Sequence, residues 1–291
     1  HAKSLSKYSI FRTNQIRGSD VAVQAKRILG KKLVTRCGFM LSLNWLERDG
    51  GQETAAVLLA KHWENKAFTA ADQVVVTTPP MKKYVAEQYG VTNSKISVIP
   101  NYVLTDIFKP NRRQIRNKKR ICFIGRLEVV KDPILFLESI KGLDLEVDII
   151  GDGQLRSEVE KKATQYGLPV RFLNTIANNE LPNYLNSAAA VVFTSKYEGH
   201  RKAILESMSC GLPVIGVNVR GIQDTIQHKT TGYLCDRSPE GIRDAVSTVL
   251  KDDHLRNQLS RNSREFIVQN FDIDKIVELE LELLHSLSIN N

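Results

Sequence analysis

From Tyr197 the chain reads Tyr-Glu-Gly-His-Arg-Lys-Ala-Ile-Leu-Glu, so that Glu198 and Glu206 stand eight positions apart around Gly199 and the basic stretch His200-Arg201-Lys202. The motif follows the β-branched run Ala190–Thr194 and opens a helix-period segment ending at Cys210. Glu198 is therefore expected at a helix mouth and Glu206 about two turns inside, on the face of Lys202, because positions four apart share a helix face. A glycine lets the backbone approach a ligand closely, and the open N–H groups of a helix N-terminus favour phosphate. A carboxylate inside the helix suits a ribose diol, since it can accept two hydroxyl hydrogen bonds. Taken alone, the same spacing also fits a solvated helix with two surface glutamates.

A second group lies upstream. The run Ile121–Ile124 enters Gly125-Arg126-Leu127, with Lys131 five residues after Arg126. Two cations leaving a strand end could neutralise a diphosphate leaving group, arginine through its planar fork and lysine as a point charge. Each taken singly also fits a surface cation at a turn. Ile149-Ile150 likewise runs into a glycine turn, Gly151-Asp152-Gly153.

The elements that must hold these residues follow from the patterning. Short β-branched runs alternate with longer helix-period segments throughout, as in parallel sheets built from βαβ units. In the first part the strand candidates are 8–12, 32–35, 73–77 and 96–99, with helices near 19–29, 52–70 and 79–89, half of a doubly wound domain. In the second part the strands are 121–124, 146–150, 170–173, 190–194, 213–217 and 233–235. Helices fall near 133–140, 155–166, 181–187, 203–210, 239–250 and 254–270, with a last one near 272–287. That is a nearly complete Rossmann-like sheet, whose ligands gather at the carboxyl ends of its strands. The expected division is residues 1–110, a basic linker 111–119, and residues 120–291.

The order Gly125-Arg126-Leu127 with Lys131, Gly151-Asp152-Gly153, Glu198-Gly199 with Glu206, Gly211-Leu212-Pro213-Val214-Ile215, Gly221 and Gly232 resembles the C-terminal domain of family 4 retaining glycosyltransferases of GT-B fold. Pro100-Asn101 followed by Phe108 and Pro110 is similar to that family's crossing between domains. The resemblance implies an α/β fold with two Rossmann-like doubly wound domains, the N-terminal one incomplete. It implies that Arg126 and Lys131 bind the diphosphate, that Glu198 holds donor-sugar hydroxyls, and that Glu206 holds the ribose. Backbone near Gly125, Gly151 and Gly199–Lys202, including His200 and Arg201, would meet phosphate or sugar, and Asn174-Thr175-Ile176 would lie against the base. Arg201 stands where the commoner pattern has a small residue, Asp224 where Glu is usual, and Asn174 where Gly is usual. The glycine-rich loop with which relatives open is missing.

In the first part Arg12-Thr13-Asn14-Gln15 and Arg36-Cys37-Gly38 end successive strands, so Asn14, Arg36 and Cys37 are acceptor-side candidates; turn and core packing is the other reading. The six histidines, His62 and His200 among them, form no spaced ligand set, and the resemblance implies neither metal nor cofactor beyond the sugar nucleotide donor. Four cysteines far apart, with no C-x-x-C pair, argue against disulfide and zinc chemistry.

At 291 residues, with 42% hydrophobic and 25% charged residues, the chain has the composition of a soluble two-domain protein, and no apolar run reaches the ~20 residues of a membrane span. A cytoplasmic protein is the expectation. It opens at His1 with a strand candidate arriving at once, which reads as an N-terminal truncation. The net charge of +9 suits an anionic partner. The run Arg112–Arg120 lacks interleaved aromatics, which leaves a solvated linker or contact with the inner membrane face rather than nucleic acid. The resemblance implies retaining transfer of a sugar from a nucleotide diphosphate sugar to a hydroxyl acceptor, a lipid-linked glycan or polysaccharide being the candidate acceptors. The alternatives are a non-catalytic nucleotide-sugar-binding fragment and a GT-B epimerase. A phosphorylase would need a lysine-bound cofactor motif, and a dehydrogenase an early G-x-G-x-x-G.

Overall fold

A computed structural model describes residues 7–111, 113–199 and 202–289. Residues up to Tyr102, together with those from Asp274 onward, form one compact unit, and Val103–Ile273 form the other.

The first unit carries four parallel strands, β1 (Ile10–Thr13), β2 (Lys32–Cys37), β3 (Gln73–Val76) and β4 (Ile96–Val98), in the order β1-β2-β3-β4. They alternate with α1 (Ser19–Leu29), α2 (Leu41–Arg48), α3 (Ala55–Ala70) and α4 (Pro79–Tyr89). The order never reverses, so the sheet is one half of a doubly wound one, as expected. Thr78 caps α4 by accepting from the Met81 amide, and Pro79 stands at its first position, where a missing N–H costs nothing. Helix α2 was not foreseen, because eight residues carry too short a pattern to separate from a loop. It is held by the buried carboxylate of Glu64, which accepts from the Ser42 amide at 2.9 Å and hydroxyl at 2.6 Å.

The second unit holds β5 (Asn117–Ile124), β6 (Glu146–Ile150), β7 (Val170–Leu173), β8 (Ala188–Phe193), β9 (Val214–Val217) and β10 (Tyr233–Cys235). All are parallel, in the order β7-β6-β5-β8-β9-β10. Winding starts at β5, runs out through β6 and β7, then returns to β8 on the opposite side. That is the Rossmann order, with its switch point between β5 and β8. Helices α5 (Pro133–Ile140), α6 (Arg156–Gln165), α7 (Leu181–Ser187), α8 (Lys202–Ser209), α9 (Pro239–Lys251) and α10 (Asp253–Phe271) complete the unit. β6, β8 and the second half of β5 are mostly apolar on both faces, as parallel strands covered by helices must be.

Two boundaries differ from the expected ones. The division falls at Tyr102/Val103 rather than at a linker over 111–119, and Asn117–Arg120 is the first half of β5. Charge disguised this strand. Lys118 and Lys119 pair outward with Asp253 and Asp144, while the Arg116 guanidinium turns inward and donates to the carbonyls of Gly211 (2.7 Å) and Cys210 (2.8 Å) at the end of α8. Arg112 lies outside the described residues. The second difference is α11 (Ile273–Ile289), which belongs from Asp274 onward to the first unit. There Ile276 packs with Val34, Val75 and Ile99, and Glu280 accepts from Arg12 (2.7 Å) and Arg36 (3.0 Å).

Arg36 also donates to the carbonyls of Ile99 and Pro100, so its contacts are those of a tether for α11 rather than of a group held out to an acceptor. Cys37 is fully buried, its thiol donating to the Phe39 carbonyl and pushed far above its ordinary range by burial. A thiol in that position meets no acceptor. Burial likewise raises Cys210 and Cys235 to about 12, which keeps both protonated and unreactive. Among the described residues no helix is long and apolar enough to cross a membrane.

If Glu280 fastens α11, Glu280→Ala should cost about 1–3 kcal/mol, the penalty of leaving the buried Arg36 short of its carboxylate. Hydrogen exchange should quicken across Ile276–Leu284 and leave β5 to β8 unchanged. Unaltered exchange in α11 would show that the apolar contacts alone hold it.

Candidate active site

The switch point brings the carboxyl ends of β5 and β8 side by side, with Cys122 paired to Val191 and Phe123 to Val192. β5 continues into Gly125 and β8 into Thr194. Backbone bonds carry the strand pairing beyond the strands: Gly125 N–H donates to the Ile150 carbonyl at 3.0 Å and Leu127 N–H to that of Asp152 at 2.9 Å. The approach is close enough that a Cβ on Gly151, which lies at φ +132°, would sit 2.1 Å from the Gly125 carbonyl oxygen. The Gly151-Asp152-Gly153 turn is thus a packing requirement of the β5 loop.

That loop delivers Lys131. Its ammonium donates to both carboxylate oxygens of Glu198, at 2.6 Å for Oε2. The side chains are 19% and 4% exposed, so this is a nearly buried ion pair joining the loop after β5 to the loop after β8. Three backbone devices fix it. The hydroxyl of Thr194, fully buried, donates at 2.9 Å to the carbonyls of Lys131 and Asp132. Lys196 N–H donates to the Val130 carbonyl at 2.8 Å, and Glu198 N–H to that of Arg220 at 3.0 Å. Gly221, at φ +87°, leaves room for the Glu198 backbone, since a Cβ there would stand 1.8 Å from the Glu198 carbonyl oxygen. Thr194 is a site residue that the sequence reading did not single out, its position at a strand end being the only signal; Gly221 was among the residues carrying the resemblance, but its role in seating the Glu198 backbone was not.

The two cations read as equivalents differ in place. Arg126 is 72% exposed and paired to Glu128 at 2.9 Å, while Lys131 turns inward. Glu206 sits inside α8 and is 5% exposed at its side chain. Lys202 stands 3.5 Å away as an ion pair, too long for a strong hydrogen bond, and Oε1 of Glu206 has no hydrogen-bond partner among the described residues. Burial raises the Glu206 carboxyl above the ordinary carboxylate range, with Lys202 acting in the opposite direction. Asn174 is exposed and accepts from Arg156 at 3.2 Å, and Ile176 packs on the core edge. Asn14 is exposed in the loop after β1. His200 and Arg201 lie outside the described residues. Gly199, next to Glu198, is partly exposed.

Residues 106–266 match the family model described as glycosyl transferases group 1, and residues 5–106 that described as Glycosyltransferase Family 4. The chain belongs to the glycosyl transferases group 1 family. Within the curated proteins it is 28% identical to the UDP-Gal:alpha-D-GlcNAc-diphosphoundecaprenol alpha-1,3-galactosyltransferase of Escherichia coli, over 96% of this chain and 76% of that protein. It is 29% identical to N-acetyl-alpha-D-glucosaminyl L-malate synthase of Bacillus anthracis, over 64% of this chain and 52% of that one. The chain therefore spans about three quarters of the first and about half of the second. Among solved structures it is similar to Anabaena HepE in complex with UDP, with a TM-score of 0.85 at 19% identity, over 98% of this chain and 80% of that chain. The fold is GT-B, as this group 1 sequence implied.

The state of Glu206 has a measurable consequence. A carboxyl whose folded pKa is raised binds its proton more tightly folded than unfolded, so the charged form costs stability at neutral pH and the cost fades as pH falls through the raised pKa. Glu206→Gln should therefore stabilise the second unit by about 1 kcal/mol at neutral pH, with the gap closing at mildly acidic pH. Melting temperatures of both proteins across that range test it; a gap that widens on acidification would contradict the assignment.

Proposed function

We propose that this group 1 chain transfers a glycosyl group from a nucleoside diphosphate sugar to a hydroxyl acceptor with retention at the anomeric carbon. The observation that carries this reading is the Lys131–Glu198 pair astride the β5/β8 switch point, where doubly wound sheets receive nucleotides. When the bond from the anomeric carbon to the diphosphate oxygen breaks, negative charge grows on the leaving group. Lys131 is the fixed cation beside it, and the exposed Arg126 on the same loop would reach it by leaving its surface pair with Glu128. Glu198, an acceptor-only carboxylate already oriented by Lys131, is suited to donor-sugar hydroxyls. Glu206, with an open buried oxygen, is suited to the ribose diol. Retention requires the acceptor hydroxyl to add on the face from which the diphosphate departs.

The E. coli relative's name specifies a diphosphoundecaprenol-linked acceptor, which supports a lipid-linked glycan here too, and the net charge of +9 supports contact with an anionic membrane face. No metal or organic cofactor enters this reading.

The test is a binding and transfer series on this chain. UDP, GDP and ADP are titrated against their nucleosides, the preferred donor is then supplied with an acceptor, and the anomeric configuration of the product is read by NMR. Lys131→Met should weaken the diphosphate about tenfold or more and the nucleoside hardly at all, the loss of a charge-assisted contact. Glu206→Gln should weaken both, and Glu198→Gln should lower kcat more than donor affinity. Equal loss of nucleoside and diphosphate in Lys131→Met, or an inverted product, would overturn the reading.

A further inference from the structure

The first unit holds a cavity of about 290 Å³ between the N-terminus of α1 and the middle of α3. Its lining includes Arg17, Ser19, Asp20, His62, Trp63 and Lys66. Arg17, His62 and Lys66 make no ion pair or hydrogen bond among the described residues, unlike most cations of this chain. The one acid on the lining, Asp20, pairs with none of them. Two charged side chains and a titratable imidazole thus converge unneutralised.

Two further observations point to an anion. Ser19 is 96% buried by its 4% exposure, yet its hydroxyl, on the cavity wall, has no partner among the described residues. Helix α1 starts there without a side-chain cap: Gly18 stands at the cap position at φ +79°, and no side chain accepts from its first-turn amides as Thr78 does for α4, the Ser19 amide alone turning to the Ile16 carbonyl at 3.0 Å. An uncapped helix of eleven residues presents N–H groups and the positive end of its dipole to the same space.

We infer that this cavity binds a phosphoryl group, a phosphate ester or a diphosphate, on Arg17, Lys66, His62, the Ser19 hydroxyl and the first amides of α1. Several donors on one cavity wall suit a group with several oxygens better than a single carboxylate. The volume lies at the lower limit of the ~300–1,000 Å³ usual for small-molecule sites, room for a diphosphate rather than for a whole sugar nucleotide. Trp63 supplies an apolar wall for whatever the phosphate is esterified to. All these residues lie in the first unit, so the inference uses neither Lys131 nor Glu198 and stands whether or not the donor reading holds.

The experiment titrates inorganic pyrophosphate into the whole chain with UDP in excess, following the backbone resonances of Asp20 and Val21, the His62 ring and the Trp63 indole by NMR. These signals should shift together and saturate. Arg17→Ala and Lys66→Ala should each weaken the binding about tenfold or more, and Ser19→Ala, which removes one hydroxyl without disturbing the fold, several-fold. A parallel arm uses phosphatidylcholine vesicles with and without phosphatidylglycerol. Loss of pyrophosphate but not of anionic vesicles in the variants assigns the site to a phosphoryl group on a soluble molecule or substrate. Loss of both assigns it to a lipid headgroup. If pyrophosphate leaves these resonances unmoved, or the three variants bind it as the parent does, the inference is wrong.

Discussion

A carboxylate 4% exposed cannot stay charged in a protein interior without a partner, and for Glu198 that partner is Lys131. Much of the second unit can be traced to this constraint. The two residues are 67 positions apart in the chain and meet only because the winding order sets β5 beside β8. Had β8 been added at the outer edge, next to β7, the loop after it would open elsewhere and both charges would have to face water.

Holding the pair also explains residues without chemistry of their own. Thr194 binds the carbonyl of the very residue whose ammonium does the pairing, which fixes the loop from behind. Gly221 and Gly151 are places where a methyl group would collide with backbone, at Glu198 and at Gly125 respectively. Removing one partner of such a pair leaves the other desolvated and unmatched, so the pair makes a poor source of stability and a good device for orientation. On the reading proposed above, a diphosphate entering here would meet a cation already half-neutralised by Glu198, and the carboxylate would set how strongly nucleotide is held before any sugar contact is made.

Much of this was legible in the sequence. The strands Glu146–Ile150 and Val170–Leu173 and the helices Pro133–Ile140 and Leu181–Ser187 have the bounds read from patterning, because apolar runs between turn residues leave little choice. Glu198, Lys131 and Glu206 were selected by type and spacing. What spacing could not give was which charges meet: Arg126 and Lys131 look alike in the chain, and only the loop path separates an exposed cation from an inward one. Charge misled twice more. Lys118 to Arg120 hid the start of β5, and Arg36, at a strand end where ligands gather, is engaged by Glu280 on a helix 244 residues later. Such long-range tertiary pairings leave no local trace.

On the proposed reading Lys131 and Glu198 act as one coupled charge pair on the nucleotide. Calorimetric UDP affinity across the cycle of parent, Lys131→Met, Glu198→Gln and the double variant tests it most directly. Glu198→Gln should bind UDP several-fold more tightly than the parent, because Lys131 is released to the diphosphate, and the same substitution should have no effect once Lys131 is gone. Weakened UDP binding in Glu198→Gln, or an equal effect of that substitution with and without Lys131, would contradict it.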